Sequence, residues 1–462
     1  MPELPEVETV VRILNPFLQG KKILSVRVFR EKNILSGAKK FISSLAGETF
    51  LNVTRKGKYI LFHLTNEKVI VSHLRMEGKY FEGKAKEAPQ KHDLLIYDFD
   101  DGTSLRYNDV RKFGTIELKK EKDLFSTPPL NQIGPEPMEM DPADFYAGLK
   151  KRKNKPIKEV LLDQNFISGI GNIYDCEILY RAKIDPRMNA GLLSKPQAET
   201  ILKEAREVLK EAIEQGGSTI KSYHPKEGVN GRMQNSLQAY GRQGEPCSRC
   251  HAPLRKISLG GRGTVYCPIC QHSTRPFVVG VSGPIASGKS SVTSYLKEKG
   301  YHILDADHLA HQSYQDPKIQ ETLRKEFGDE IFRSGRIDRK KLLSLVAENK
   351  EKRLLLNRLI HPYVFQKTQE AIDHGKYKKI VVDMPLLIGS PIENECDLII
   401  AVIADQKTRE KRLQSRGVDV EKSLALNRDF PLGALKKAAG IILDGSGDLA
   451  NLRKQLDSCP FL

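Results

Sequence analysis

The chain has 462 residues, of which 39% are apolar and 29% charged; that is too long for a single hydrophobic core and leads to an expectation of several soluble domains. No run of about 18 apolar residues and no basic-then-apolar leader is present, so neither a membrane span nor a secretion signal is expected, and the expected location is the cytoplasm. The net charge of +17 is uneven: residues 1–276 hold 45 Lys and Arg against 33 Asp and Glu, and residues 277–462 hold 30 against 25. A basic excess in one half suits a polyanionic partner that releases counterions, or simply a solubilising surface.

In chain order, residues 3–19 predict an amphipathic helix with Val7, Val10, Val11, Leu14 and Phe17 on one face. Residues 22–119 alternate short β-branched or aromatic runs with turn signals, as in Lys58–Leu64, Val69–Leu74, Leu94–Phe99 and Thr115–Leu118, which predicts a β-sandwich. Pro128, Pro129, Pro135 and Pro137 punctuate the loop that closes it. Residues 141–221 turn helical, with helix starts at Asp141-Pro142 and Ser194. From Phe277 the pattern becomes strand, glycine loop, helix, strand, which predicts an α/β domain on a parallel sheet. The expected domains are therefore a β-sandwich over 1–135, a helical domain over 136–240, a cysteine module over 241–275 and the α/β domain over 277–462.

Cys247-x2-Cys250 and Cys267-x2-Cys270 fall within zinc-ribbon spacing. Four thiolates complete a closed tetrahedral shell, so the expected Zn²⁺ is structural. The other cysteines, Cys176, Cys396 and Cys459, are scattered, which fits metal binding in a reducing compartment better than a disulfide framework. Between the pairs, Gly260-Gly261-Arg262-Gly263 reads as a hairpin tip that presents an arginine, a group suited to clamping phosphate.

Val278–Ser282 is an apolar strand that runs into Gly283-x4-Gly288-Lys289-Ser290, a P-loop in its required context. Gly283, Ser287, Gly288 and Ser291 belong to the phosphate cradle, Lys289 is suited to the β/γ oxygens of ATP, and Ser290 to Mg²⁺. Asp305 and Asp307 stand at the end of the next strand, where they can activate a hydroxyl acceptor, help hold Mg²⁺ or cap a helix. The third strand ends in the single Asp383, and Arg412-x3-Arg416 lies on a charged helix of the kind that supplies arginines to transferring phosphate.

The opening Pro2-Glu3-Leu4-Pro5-Glu6 admits two readings. Pro2 can begin a helix whose dipole welcomes the acids. Alternatively, removal of the initiator methionine frees a secondary amine that attacks a sugar C1′ and yields an iminium, with Glu3 as the acid at the ring oxygen.

Here the sequence resembles the formamidopyrimidine-DNA glycosylases. The resemblance rests on Pro2–Glu8, Arg55-Lys56-Gly57-Lys58-Tyr59, Ser72–Gly78, Asp109–Gly114, Gly169–Tyr174, Tyr240-Gly241-Arg242 and Gly261–Pro268. It implies a helix–two-turns–helix domain after the sandwich and a partner of double-stranded DNA carrying an oxidised purine or an abasic site. It assigns Pro2 as Schiff-base nucleophile, Glu3 as acid, Lys58 to the scissile phosphate and Arg262 to the second elimination. Met76, Arg111 and Phe113 match the side chains that fill the gap left by an everted nucleotide, a step that costs a few kcal/mol. Read alone, Met76 and Phe113 would be core residues, Arg111 and Lys58 surface charges and His92 a loop histidine. The resemblance places His92, Lys153 and Asn172 on DNA and Lys158 in the catalytic pocket. His251, Asp175-Cys176 and the segment 222–232 depart from the family pattern.

Residues 277–462, with Leu359-Ile360-His361-Pro362, resemble the dephospho-CoA kinases. This implies ATP-dependent phosphorylation of the ribose 3′-hydroxyl of dephospho-CoA, with Asp305 and Asp307 as catalytic candidates and Arg412 and Arg416 on ATP. Pro284, Ala286, Ala425, Asp429 and Gly445 depart from that pattern. The expectation is thus a bifunctional monomer that uses zinc, ATP and Mg²⁺. The alternative is a repair enzyme whose P-loop domain is a regulatory or lapsed nucleotide-binding module.

Overall fold

The computed structural model describes residues 2–218, 231–333, 336–347, 349–425, 427, 430–459 and 462. Asp429 and residues 222–230 of the divergent segment lie outside the described residues. The chain forms two compact units, one of Met1–Arg242 with Leu259–Tyr266 and one of Gln243–Ser258 with Cys267–Leu462.

In the first unit, two antiparallel four-stranded sheets face each other as a sandwich. One has the order Ile23–Val28, Asp93–Phe99, Thr103–Asn108, Lys79–Lys84, and the other Phe50–Lys56, Tyr59–Leu64, Lys68–His73, Thr115–Lys120. Alternating apolar residues such as Ile60, Phe62, Leu64, Ile70, Leu95, Tyr97 and Phe99 fill the space between them. The strand Asp93–Phe99 is buried throughout. Residues 86–88 cover its outer face: the Lys86 amide donates to Asp98, Arg27 donates to the Glu87 carbonyl, and the buried Arg106 donates to the Ala88 carbonyl and to Asp93.

The helix Leu4–Leu18 joins two cores. Leu4 packs among the helices that follow the sandwich, whereas Val7, Val10, Val11, Leu14 and Leu18 pack into the sandwich itself. The later helices are Pro142–Lys151, Ile157–Leu162, Asn172–Arg181 and Lys195–Glu214, the first and last of which start at the signals at Asp141-Pro142 and Ser194. Asp141 accepts from the Ala143 and Asp144 amides, and Ser194 with Gln197 forms a capping box. Ile201, Leu202, Ala205, Val208, Leu209 and Ala212 recur at helical spacing on the buried face of the last helix, each large side chain contributing about 1.5–3 kcal/mol by its burial.

In the second unit, a five-stranded parallel sheet runs His302–Asp305, Lys379–Asp383, Phe277–Ser282, Leu398–Ile403, Ile441–Asp444. Its near-continuous apolar strands suit a sheet covered on both faces. His361-Pro362 lies inside the helix Lys350–Asp373.

Candidate active sites and metal centre

A cavity of about 500 Å³ in the first unit is lined by Pro2, Glu3, Glu6, Lys58, Met76, Asn172, Tyr240 and Arg262, among others. Glu3 caps a helix far away in the sequence: its carboxylate accepts from the amides of Gly171 at 2.7 Å, Ile173 at 2.8 Å and Tyr174 at 3.3 Å, at the start of Asn172–Arg181. Only glycine fits at 171, because a Cβ there would lie 2.3 Å from the Glu3 carboxyl carbon. The Glu3 amide donates to Glu6, whose other oxygen accepts from Ser218 and the Tyr174 hydroxyl. Burial drives the Glu3 pKa up to about 7, against the pull of Lys58 and with the push of Glu6. The Lys58 ammonium donates to the Ile170 carbonyl at 2.7 Å. Burial lowers its pKa to about 8, offset in part by Glu3 and Glu6. Both groups thus hold their proton equilibria near neutrality in one enclosed space.

Two loops carry the expected gap-filling side chains. His73, whose pKa burial depresses to about 3, accepts from the Arg75 amide at 2.9 Å and fixes the turn that bears Met76. The buried Asp109 accepts from the amides of Arg111 and Gly114 and shapes the second loop, where Arg111 lies 5.0 Å from the ring of the exposed Phe113. His92 takes a left-handed φ of 75° beside this loop, and its carbonyl accepts from the Asp109 amide. Lys153 is exposed, and Asn172 donates to the Gly263 carbonyl at 3.0 Å. Arg262, expected at a hairpin tip, is exposed as the first residue of the strand Arg262–Tyr266.

Lys158 is placed differently from expectation. It has no exposed surface and pairs with Asp175 at 2.8 Å, with Cys176 Sγ at 3.5 Å. Burial pushes Asp175 up to about 6, with Lys158 opposing. Paired in this way Lys158 is shut off from solvent and is not among the residues that line the cavity. Glu6 had a motif but no assigned role in the sequence; its long-range partner Ser218 carries no local signal.

In the second unit, the ligand atoms of Cys247, Cys250, Cys267 and Cys270 lie within 4.8 Å of one another. The Sγ separations of 4.0 Å for Cys247–Cys270 and 3.5 Å for Cys250–Cys267 bracket the ~3.8 Å edge of a tetrahedral thiolate–zinc shell. Amides of Arg249 and Cys270 point at the sulfurs of Cys247 and Cys267. His251 follows the first knuckle at a φ of 62°, which explains why glycine is the easier residue there. The donor set fits zinc.

At the P-loop, Gly288 precedes the helix Lys289–Glu298, in which Ser290 and Ser291 open the first turn. Lys289 donates to the carbonyls of Gly283 and Pro284, and burial lowers its pKa. The Ser287 hydroxyl is buried without a partner among the described residues. Asp305 accepts from the amides of Asp307 and His308 and so caps the next helix, but both carboxylates remain exposed. Burial raises the Asp383 pKa to about 6; Lys289 opposes this, while Asp305 and Asp307 add to it, so three acids and one lysine share a field. Asp307 also lines an adjoining cavity of about 580 Å³ with His311, Arg353, Asn357 and His361. Arg412 donates to the Ala286 and Gly447 carbonyls, whereas Arg416 is exposed at the helix end. Sequence reasoning missed Arg409 and Asn427, which hold the backbone of Ile285 beside a further cavity of about 430 Å³. No helix among the described residues is long and apolar enough to cross a membrane.

Comparison with known proteins agrees with this geometry. Residues 1–116 match the formamidopyrimidine-DNA glycosylase N-terminal domain, 133–224 its H2TH domain, 244–272 a zinc finger found in FPG and IleRS, and 277–450 dephospho-CoA kinase. The formamidopyrimidine-DNA glycosylase of Exiguobacterium sp. is 47% identical over 276 residues, covering 59% of this chain and 100% of that protein. That of Ligilactobacillus salivarius is 45% identical and covered over 99% of its length. Lactococcus lactis Fpg in complex with N7-benzyl-Fapy-dG-containing DNA superposes with a TM-score of 0.56 at 41% identity, covering 59% of this chain and 100% of that one. The same protein with abasic-site-containing DNA gives 0.55 at 40% over the same shares. The chain belongs to the formamidopyrimidine-DNA glycosylase family, with a zinc finger, and continues into a dephospho-CoA kinase domain that uses ATP and Mg²⁺.

Proposed function

We propose that the first 275 residues excise oxidised purines, formamidopyrimidine and 8-oxoguanine, from duplex DNA and nick the resulting abasic site, and that residues 277–462 phosphorylate dephospho-CoA. The observation that carries the first reading is Glu3, buried at a helix N-terminus in the cavity shared by Pro2, Lys58 and Arg262.

The Pro2 nitrogen attacks C1′, the glycosidic bond breaks with its electron pair leaving on the base, and the nitrogen gives up its proton to the departing base. The ring C1′–O4′ bond then opens as Glu3, protonated in part near pH 7, gives its proton to O4′. The nitrogen lone pair completes a cationic iminium, which withdraws electrons as a C2′ proton departs and the 3′-phosphate leaves. Loss of the 5′-phosphate completes the second elimination. Lys58 serves the departing phosphate, while Arg262, Asn172, Lys153 and His92 hold the backbone. Met76, Arg111 and Phe113 occupy the duplex where the base has left.

In the kinase domain, the backbone of Gly283–Ser291 and Lys289 bind the triphosphate, and Ser290 takes Mg²⁺. Asp305 or Asp307 accepts the acceptor hydroxyl's proton as its oxygen attacks the γ-phosphorus and ADP leaves. Arg412 and Arg416 offset the moving charge.

Borohydride reduction should trap a covalent protein–DNA adduct on 8-oxoguanine duplexes, and Pro2→Gly should lower its yield, because a primary amine gives a neutral imine where proline gives the cationic iminium directly. An undiminished adduct would place the nucleophile elsewhere. For the second half, ADP release by the full chain should rise with dephospho-CoA and be abolished in Lys289→Ala. Stimulation by DNA alone would favour the regulatory reading instead.

A further inference from the structure

The second unit contains a contact that neither half requires for its chemistry. Arg255, in the strand Arg255–Leu259 beside the cysteine knuckles, is only 9% exposed. Its guanidinium donates to three backbone carbonyls: Cys396 at 3.2 Å, Ala438 at 3.1 Å and Glu393 at 2.9 Å. Three carbonyls around one planar fork make a directed anchor, because removing it strands buried acceptors. The Ser258 amide donates to Asn394 at 3.0 Å, and Arg275 pairs with Glu395. The Pro253 ring lies 3.0 Å from where a Cβ on Gly440 would stand.

The segments gripped by Arg255 lead directly into the strands Leu398–Ile403 and Ile441–Asp444. The far ends of those strands meet the P-loop, about 20 Å away at ~3.3 Å per residue. There the Gly445 amide donates to Ile403, the Gly445 backbone abuts Ser287, and Arg412 ties Ala286 to Gly447. One end of a rigid pair of strands is held by the cysteine module and the other forms the nucleotide cradle.

We propose that the zinc module is an integral wall of the kinase domain, anchored by Arg255, and that nucleotide binding at the P-loop and order in residues 253–258 are linked through these two strands. Such a linkage is reciprocal: zinc raises nucleotide affinity by the same factor as nucleotide raises zinc affinity. Zinc occupancy, which stiffens the module, thereby stabilises the kinase domain.

The test is amide hydrogen exchange on the full chain with and without ADP and Mg²⁺, before and after zinc is removed by a chelator. Protection of residues 283–291 by ADP reports nucleotide binding itself, on which the proposal rests. In the zinc-loaded wild type, ADP should also slow exchange over 253–258 and 393–396. Zinc removal should weaken ADP binding about fivefold, the low end for coupled sites. In Arg255→Ala, and in Arg255→Lys, which keeps the charge but lacks the fork, 283–291 should still be protected while the response over 253–258 disappears. Unchanged exchange over 253–258 in wild type, or equal responses in wild type and both variants, would overturn the proposal. Loss of ADP protection at 283–291 in wild type would instead overturn nucleotide binding at the P-loop.

Discussion

Glu3 shows how far burial moves one side chain. Because its proton is held more tightly in the folded chain than in the unfolded one, its contribution to stability is complete below about pH 4.5 and is lost as pH rises through about 7. Glu3→Gln should flatten that decline, leaving the variant less pH-sensitive to denaturant between those values, as chemical unfolding at several pH values will show. The same substitution removes the acid, so single-turnover excision should fall about 10²–10⁴-fold and lose its decline above about pH 7. The sequence identifies Glu3 as an acid beside a nucleophile, but its raised pKa comes first from burial, in a cavity completed by residues some 170 positions away, which no local pattern encodes. Lys158, which the resemblance places in the catalytic pocket, is paired with Asp175, and only the fold brings that partner to it.

At the scale of elements, local signals carry well where the physics is local. The caps at Asp141 and Ser194, the cysteine knuckles and the strand–P-loop–helix sequence are all legible because each is set by neighbours within a few residues. The kinase departures become intelligible only in three dimensions. Ala286 adopts a φ of 59°, a left-handed conformation that costs a non-glycine residue about 1–2 kcal/mol. At Gly445 a Cβ would lie 2.0 Å from the Ser287 carbonyl oxygen, so no side chain at this position can coexist with this P-loop path. Ala286 and Gly445 therefore act on the same stretch of the P-loop, on either side of Ser287. Gly445→Ala should force the P-loop to shift and weaken nucleotide affinity about tenfold or more, measurable by calorimetric titration with ADP; unaltered affinity would show that the loop yields freely.

For the whole molecule, composition foretells several domains and the change of style at Phe277, but not the allegiance of the cysteine module. Arg255 reads in the sequence as one more surface cation, and its three carbonyl partners lie about 140–180 positions further on. Long-range pairing also governs the order in which the catalytic cavity can be completed. Glu3 is translated 168 positions before Gly171, and Arg262 is made later still. At about 5–20 residues per second, the proposed nucleophile waits roughly ten to thirty seconds on the ribosome before its enclosure can begin to form. Enzymes that trim or acylate nascent chains have that interval in which to act on it; once folding is complete, the same atoms are buried.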